Sequence, residues 1–398
     1  MKTIKGSVTA PKGFFASGVA SGIKKKRLDL ALIVSAVPAH AAGVFTKNTV
    51  KASPVVLSKE HLRDGWAQAI IANSGNANAL NGKNGMKWAQ AMADCASKAL
   101  WIDKEDVLVA STGIIGKPLP IGNIKASCPA LAKAMSRTGS DAAAKAIMTT
   151  DLVPKAAAAE IKAGGKTVKI GGIAKGSGMI CPDMATMLCF VTTDAAIEQK
   201  ALKAALKEST EVSFNMVTVD GDMSTNDTVF VMANGLAGNK VIKSGGREYK
   251  KFLEGLKFVM TCLAKKVAMD GEGASKFIEV EVKGAKTKAD AKKAAMEIAN
   301  SNLVKTAIAG EDPNTGRIAC AAGASGADFD ESKLDIALNG IRIVNKGSAK
   351  FGLRSKAKKT LRKKDVKITV DLHAGRHSAT AWTCDLTEGY VKINARYN

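Results

Sequence analysis

The stretch KGSGMICPDMATMLCFVTTDA, residues 175–195, joins a glycine-rich turn to an apolar run in the middle of the chain. Gly176 and Gly178 allow backbone conformations that other residues avoid, and Pro182 fixes one φ angle. The apolar run that follows is typical of a buried strand. Thr186 stands at the head of this run, where a threonine is by default a strand-forming residue. The unusual turn in front of it raises a second, chemical interpretation of Thr186.

In the chemical interpretation, the hydroxyl of Thr186 attacks the carbonyl carbon of Ala185, a residue small enough to permit the approach. The acyl chain moves from nitrogen to oxygen, and water then releases a new chain that begins with Thr186. An N-terminal threonine is a nucleophile that can use its own α-amine as general base, because that amine titrates near ~7.7–8.0. Such chemistry needs no histidine, and the chain has only four.

Outward from this stretch, strand and helix patterns are mixed along the whole chain. On the N-terminal side they predict strands at 28–36 and 67–80 and helices at about 85–100, 122–136 and 140–149. On the C-terminal side they predict helices at about 197–209, 246–268 and 287–308, and strands at 228–233, 277–283, 366–372 and 389–395. These elements predict a mixed α/β protein.

Length and composition limit the classes of protein to consider. A chain of 398 residues favours two large lobes or two to three domains. Its hydrophobic fraction of 46% is that of a globular protein, and no apolar run reaches the ~18 to 20 residues of a membrane helix. The start of the sequence lacks a signal-peptide pattern, so we expect a cytoplasmic protein that does not engage a membrane.

Cysteine and histidine usage gives no sign of a metal or a disulfide framework. The seven cysteines are odd in number, scattered and without a CxxC pair. His373 and His377 have a spacing that could chelate a metal on a helix, but the glycine between them favours a loop. We therefore expect neither a disulfide framework nor a metal site.

The formal net charge of +23 is unusual and is concentrated in two places. Residues 346–367 contain ten Lys or Arg against the single Asp365, and residues 24–27 read KKKR. A nucleic-acid footprint would explain such runs, but no recognition motif surrounds them. We favour a solvated surface and expect no nucleic-acid partner.

A family resemblance covers almost the whole chain. The quoted stretch is similar to the self-cleavage signature of the glutamate N-acetyltransferases, also called ornithine acetyltransferases, of arginine biosynthesis. Eight further motifs stand in the order of that family: GFFASGVASGIKKKRLDLALI, NSGNANA, STGIIG, MTTD, DGDMSTNDTV, DGEGASKF, EDPNTGRI and ATAWTCDLTEGYVKINA. This collinear set is far more specific than any one motif.

The resemblance implies an α/β layered fold in which two sheets are sandwiched between helices, the ornithine acetyltransferase/DmpA-like fold, with a smaller C-terminal lobe from about residue 280. It implies cleavage between Ala185 and Thr186 into an α chain, 1–185, and a β chain, 186–398. Two copies of each chain would assemble into a heterotetramer.

The resemblance also implies the reaction. Thr186 takes an acetyl group from N2-acetyl-L-ornithine, ornithine leaves, and the amine of L-glutamate attacks the acyl-threonine, a ping-pong mechanism. No metal or organic cofactor takes part, although acetyl-CoA is an additional acetyl donor in bifunctional members. The alternative is a self-processing amidohydrolase or aminopeptidase of the same fold, in which water accepts the acyl group.

The matching motifs also imply which residues of this chain form the site. Thr112 and Gly113 of STGIIG match the oxyanion hole, where a hydroxyl and a backbone N–H face the developing negative charge. The residues that match the family's substrate contacts are Thr149, Lys175, Thr186, Glu272 and Asn394. A lysine suits the α-carboxylate of an amino-acid substrate, and a carboxylate suits the δ-ammonium of ornithine.

The sequence departs from the family pattern at three points. Thr315 stands where the family usually has tryptophan, and Met223 where it usually has threonine. Members commonly carry a terminal threonine that contacts substrate, whereas the given sequence reads ARYN after KIN. We expect a packing or pocket-wall contact to be missing at Thr315, and substrate binding to be weakened without the terminal threonine.

Overall fold

The computed structural model describes residues 1–181 and 187–396. The bond between Ala185 and Thr186, predicted to be cleaved, therefore lies outside the described residues. The chain divides into two compact units: the first comprises 1–176, 183–215 and 223–267, and the second comprises 177–182, 216–222 and 268–398.

The first unit contains a nine-stranded sheet. Its strands are β1 (Lys2–Thr3), β2 (Phe14–Val19), β3 (Leu30–Phe45), β4 (Trp66–Asn76), β5 (Val107–Ile114), β6 (Lys155–Ala163), β7 (Lys166–Lys175), β8 (Leu188–Thr193) and β9 (Thr228–Ala233). The order is β1-β6-β7-β8-β9-β3-β4-β5, and β2 also pairs with β3. The β8–β9 and β4–β5 pairs are parallel, and the other pairs are antiparallel.

Helices cover the strands of this sheet. They are α1 (Ser53–His61), α2 (Gly82–Leu100), α3 (Ile121–Lys133), α4 (Ser140–Ala146), α5 (Gln199–Glu211) and α6 (Gly246–Met269), the last ending just beyond the first unit. Successive residues of β3 alternate between two cores: Leu30 and Leu32 pack with α2 and α3, whereas Ala31 and Ile33 pack with α4. This alternation is the period of two that a strand buried on both faces requires.

Helix α6 illustrates how sequence periodicity produces packing. Its apolar side chains recur every third or fourth position, and those at most 1% exposed include Phe252, Leu256, Val259, Leu263 and Val267. Burial of each such side chain contributes about 1.5–3 kcal/mol. Gly255 lies on the same helix where a Cβ atom would come within 3.0 Å of Ile161 of β6 and Ile170 of β7. The small residue therefore lets α6 approach these strands closely.

The second unit contains a six-stranded sheet with the order β13-β12-β11-β14-β10-β15. These strands are β10 (Phe277–Ala285), β11 (Asp335–Leu338), β12 (Ile341–Asn345), β13 (Ser348–Ala349), β14 (Asp365–Asp371) and β15 (His377–Cys384). The helices are α7 (Lys288–Asn300), α8 (Asn302–Ala309), α9 (Thr315–Ala324), α10 (Arg354–Thr360) and α11 (Glu388–Asn394). Helix α7 packs on β10 and β15. The predicted mixed α/β class with two sheets is confirmed, with one sheet in each unit.

Two predicted elements are wrong. The helix expected at 287–308 is two helices, α7 and α8, because Ser301 is extended and its side chain accepts a hydrogen bond from the amide of Val304. The strand expected at 389–395 is helix α11, which begins after Thr387, whose hydroxyl accepts from the amide of Gly389.

One cysteine pair was not anticipated from the sequence. The structure joins Cys95 of α2 to Cys128 of α3 as a disulfide, with 6.2 Å between the Cα atoms. These two residues are 33 positions apart in the sequence, and they meet because α2 and α3 pack against the same face of the first sheet. Such a pair is not visible in cysteine spacing alone.

Candidate active site

Several strands of the first sheet end or begin side by side near the predicted site. Lys175, the last residue of β7, pairs with Leu188, and Leu188 pairs with Thr228 of β9. Residue 187 therefore enters β8 directly beside the end of β7. Thr112 lies near the end of β5, in the same unit.

Lys175 is the centre of a buried polar cluster. Its Nζ donates to Thr149 Oγ1 at 2.8 Å and to Thr112 Oγ1 at 3.3 Å, and lies 3.9 Å from Asp151 Oδ2. Lys175 and Thr112 are each 2% exposed. The structure thus brings together three of the predicted site residues: Lys175, Thr112 and Thr149.

Asp151 lies close to two lysine side chains of this cluster. It lies 2.7 Å from Lys155 Nζ and accepts backbone N–H bonds from Thr149 and Gly176. Burial alone would raise the pKa of Asp151, but the ammonium groups of Lys175 and Lys155 outweigh it and hold that pKa well below its usual range. The carboxyl group of Asp151 is therefore ionised and lies beside two buried lysine side chains.

Lys24 adds a third cation near the cluster. Its Nζ donates to the backbone oxygen of Met148 at 2.8 Å. Burial lowers the pKa of Lys24 to about 8, against the opposing effect of Asp29. The KKKR run predicted as solvated thus contributes its first lysine to the surroundings of the site.

A close contact between two strands requires a glycine at position 113, the second residue of the predicted oxyanion hole. Its φ is +132°, and a Cβ atom there would lie 2.4 Å from the carbonyl carbon of Gly75 in β4. No residue with a side chain fits this position without moving β4 or β5. The close approach keeps the backbone after Thr112 in one conformation, which an oxyanion hole needs.

Glu272 and Asn394 meet in the second unit. Asn394 Nδ2 donates to Glu272 Oε2 at 2.8 Å and to the backbone oxygen of Tyr390 at 3.1 Å. Glu272 is 7% exposed, and its amide donates to the oxygen of Ser177 at 2.9 Å. A Cβ atom on Gly178 would fall 2.3 Å from Glu272 Oε2, so this glycine makes room for the carboxylate.

Asp220 fixes the residues that lead to the predicted cleavage bond. Its two carboxylate oxygens accept from the amides of Met179 and Ile180 at 2.6 and 2.8 Å, and the hydroxyl of Tyr390 donates to it at 3.2 Å. Burial raises the pKa of Asp220, while these hydrogen bonds oppose the shift. Asp220 thereby ties the turn at 177–181 to helix α11, which carries Asn394.

The structure therefore places the predicted residues in two groups, one in each unit: Thr112, Gly113, Thr149 and Lys175 in the first, Glu272 and Asn394 in the second. Ala185 and Thr186 lie outside the described residues. Sequence reasoning missed Asp151 and Asp220. The aspartate of MTTD and the first aspartate of DGDMSTND were signals that could have identified both.

Metal and membrane features are not found in the part of the chain that the structure describes. No group of three or more His, Cys, Asp or Glu there could hold a metal ion. His373 follows β14 and contacts Asp335, and His377 begins β15. None of the helices in the described ranges is long and apolar enough to cross a bilayer.

The fold and the first cluster define a class: a mixed α/β protein with a buried lysine, threonine and aspartate site at the strand ends of its larger sheet. Within that class, the chain belongs to the ArgJ family, whose model matches residues 15–398.

Two relatives and a solved structure agree with this assignment. The chain is 53% identical to the arginine biosynthesis bifunctional protein ArgJ of Symbiobacterium thermophilum and 50% identical to that of Caldanaerobacter subterraneus subsp. tengcongensis, over 100% of each chain. The crystal structure of the arginine biosynthesis bifunctional protein from Bacillus halodurans is 46% identical, with a TM-score of 0.51. That match covers 52% of this chain and 97% of the other.

Proposed function

We propose that this protein transfers the acetyl group of N2-acetyl-L-ornithine to L-glutamate, giving L-ornithine and N-acetyl-L-glutamate. Acetyl-CoA is proposed as a second acetyl donor, since the relatives are named bifunctional. Membership of the ArgJ family supports the reaction, and the burial of Lys175 against Thr112 and Thr149 is the observation that carries it in this chain.

In the proposed mechanism the chain first cleaves itself between Ala185 and Thr186. The Thr186 hydroxyl then attacks the acetyl carbonyl, and Thr112 and Gly113 stabilise the negative charge on its oxygen. Ornithine departs, and the amine of glutamate attacks the acetyl-threonine to regenerate the hydroxyl. The proposal requires no metal or organic cofactor.

Substrate charges have suitable partners in both groups of residues. The Lys175 ammonium suits the α-carboxylate that acetylornithine and glutamate share, because charge-assisted hydrogen bonds are the strongest in proteins. Glu272 suits the δ-ammonium of ornithine, and Asn394 holds Glu272 in place through a hydrogen bond of 2.8 Å. Their assignment as substrate contacts rests on the family resemblance.

Self-cleavage is tested with two substitutions of the proposed nucleophile. Thr186→Val keeps the shape of the side chain and removes the hydroxyl, so it should leave one chain of 41.4 kDa on a denaturing gel. Thr186→Ser keeps a hydroxyl and should yield two fragments, as should the natural chain. An uncut natural chain would contradict the role of Thr186.

Acetyl transfer is tested by incubating the protein with N-acetylornithine in the presence and absence of glutamate. Ornithine release should require glutamate beyond the first turnover, because the acetyl-threonine waits for an amine. Continuous release without glutamate would instead identify an amidohydrolase. A parallel incubation with acetyl-CoA and glutamate tests the second donor.

Assembly and location are part of the same proposal. We propose a heterotetramer of two α chains, 1–185, and two β chains, 186–398, in the cytoplasm, where arginine biosynthesis would use its product. Native mass spectrometry should give twice the mass of the full chain, and a single copy of each fragment would refute the tetramer.

A further inference from the structure

Lys24 is a half-buried lysine near the candidate active site to which the proposed mechanism gives no role. It is the first lysine of the KKKR run and lies in the loop between β2 and β3. The carboxylate of Asp29, which is 0% exposed, accepts hydrogen bonds from the amide of Lys24 at 2.9 Å and from the amide and hydroxyl of Ser21 at 2.6 and 2.8 Å. Asp29 therefore fastens this loop at the start of β3 and fixes the backbone of Lys24.

The aliphatic part of the Lys24 side chain lies against the strand pair that carries the predicted oxyanion hole. A Cβ atom on Gly75 of β4 would come within 2.9 Å of Lys24 Cγ, so this glycine makes room for the lysine. Gly75 pairs with Gly113 of β5, and the preceding pair joins Ser74 to Thr112. Lys24 thus packs on the end of β4, one strand away from the two residues proposed to stabilise negative charge.

The ammonium group of Lys24 binds the backbone beside Thr149. Lys24 Nζ donates to the backbone oxygen of Met148 at 2.8 Å. The next residue, Thr149, accepts from Lys175 Nζ at 2.8 Å through its hydroxyl, and its amide donates to Asp151 at 2.9 Å. One side chain therefore connects the oxyanion-hole strands to the segment whose threonine holds Lys175.

The charged groups that act on Lys24 come from its own loop and from the site. Asp29 and Asp151 favour its ammonium form, whereas Arg27 on the same loop and Lys175 at the end of β7 oppose it. Burial has the largest effect and lowers the pKa of Lys24 to about 8. The ammonium group is therefore present below about pH 8 and is lost as the pH rises through that value.

We propose that Lys24 is a positioning residue for acetyl transfer: its ammonium group holds the backbone at Met148 and thereby keeps Thr149 and Lys175 in place for the substrate carboxylate. The inference rests on the proposed function, in which Lys175 binds that carboxylate. A hydrogen bond from a charged donor is stronger than one from a neutral amine, so the arrangement loosens when Lys24 loses its proton. Substrate binding is the step that responds to this loss.

The pH dependence of kcat/KM for N-acetylornithine distinguishes this role from simple packing of the side chain. Lys24→Met keeps most of the apolar stem and removes the ammonium group. At pH 7 it should lower kcat/KM about 10-fold, mainly through a higher KM. At pH 9.5 it should have little effect, because Lys24 of the natural protein is then uncharged. Comparison of the two proteins at each pH cancels the titration of the Thr186 amine.

Lys25→Met is the matched control, because Lys25 is the next residue of the same loop, has the same charge and is exposed. It should leave kcat/KM unchanged at both pH values. Lys24→Arg keeps a charged donor at every pH, so it should retain most of the activity at pH 7 and exceed Lys24→Met at pH 9.5. An equal loss at both pH values in Lys24→Met, or a Lys24→Arg protein as impaired as Lys24→Met, would overturn the proposal.

A measurement on the natural protein covers variants that do not fold. An acylating reagent labels a lysine only in its neutral form, so the rate of labelling of Lys24 across pH, followed by mass spectrometry, reports its pKa. We expect a midpoint near 8 and a decline in kcat/KM for N-acetylornithine with the same midpoint. A decline without a matching titration of Lys24, or the titration without a decline, contradicts the proposal.

Failure of this inference is distinguishable from failure of the proposed function. A natural protein that transfers no acetyl group would refute the proposed function itself. A natural protein that transfers acetyl and is matched by Lys24→Met at pH 7 would refute only the role of Lys24.

Discussion

The two groups of site residues differ in the sign of the charge that they present. In the first unit Lys175 and Lys155 lie 3.9 and 2.7 Å from the carboxylate of Asp151. In the second unit the carboxylate of Glu272 is held by the neutral amide of Asn394. The first group presents lysine side chains, which suit an anion, whereas the second presents a carboxylate, which suits a cation.

Acetylornithine, the proposed acetyl donor, carries both a carboxylate and an ammonium group. The two groups of site residues also illustrate two ways of stabilising a buried charge. An ion pair balances one charge with another, while an amide or hydroxyl donor leaves the net charge in place. The following predictions test that contrast.

The largest expected effect is on stability. Lys155 and Asp151 form an ion pair four residues apart with both side chains 0% exposed. Lys155→Met leaves Asp151 with a buried charge less well balanced, and we expect the free energy of unfolding to fall by about 3–5 kcal/mol. Urea denaturation in a Thr186→Ala background, chosen to keep a single chain, measures the change.

A surface pair of the same geometry provides the control. Lys145 and Asp141 are also four residues apart and 2.7 Å from each other, but their side chains are 53% and 66% exposed. Lys145→Met should change the free energy of unfolding by only about 0.3–0.5 kcal/mol. Equal losses in the two variants would show that burial of the pair does not determine its contribution.

The next effect is on catalysis. Lys175→Met removes the ammonium group proposed to bind the α-carboxylate, and a hydrogen bond to a charged group contributes about 1.5–3 kcal/mol. We therefore expect kcat/KM to fall about 10- to 150-fold for both acetylornithine and glutamate, since both carry that carboxylate. A loss confined to one substrate would contradict this role of Lys175.

Glu272→Gln should separate the two substrates. It removes the negative charge proposed for the δ-ammonium, so KM for acetylornithine should rise about 10-fold, equivalent to about 1.4 kcal/mol. KM for glutamate should change less, because glutamate has no side-chain ammonium. A larger effect on glutamate than on acetylornithine would reverse the assignment of charges.

The sequence predicted the elements whose burial follows a simple period. The apolar run at 228–233 is strand β9 with the same bounds, and the periodic run at 246–268 is helix α6. The sequence-based prediction was wrong at 389–395, where alternating apolar residues suggested a strand. In the helix that forms there, Val391 is 65% exposed and Ile393 is 37% exposed, so the alternation does not reflect a buried face.

The candidate site was predictable only as far as family motifs reached. Thr112 and Thr149 contact Lys175 although they are 63 and 26 residues away from it in sequence, and no local pattern shows these contacts.

The smallest expected effect concerns two carboxyl groups with opposite pKa shifts, Asp151 in the first unit and Asp220 in the second. The pKa of Asp151 is lowered, so its contribution to stability is present above the unfolded value of 3.8 and is lost as the pH falls below it. The pKa of Asp220 is raised, so its folded form keeps a proton that the unfolded chain releases, and its contribution falls as the pH rises above 3.8.

Urea denaturation at pH 3, 4 and 5 compares Asp151→Asn and Asp220→Asn with their parent, again in the Thr186→Ala background. From pH 3 to pH 5, the difference between the parent and Asp151→Asn should grow by about 1 kcal/mol. The difference between the parent and Asp220→Asn should move in the opposite direction over the same range. If both differences in unfolding free energy changed with pH in the same direction, the two carboxyl groups would respond alike. The contrast between an ion-paired carboxyl group and one held by neutral donors would then fail.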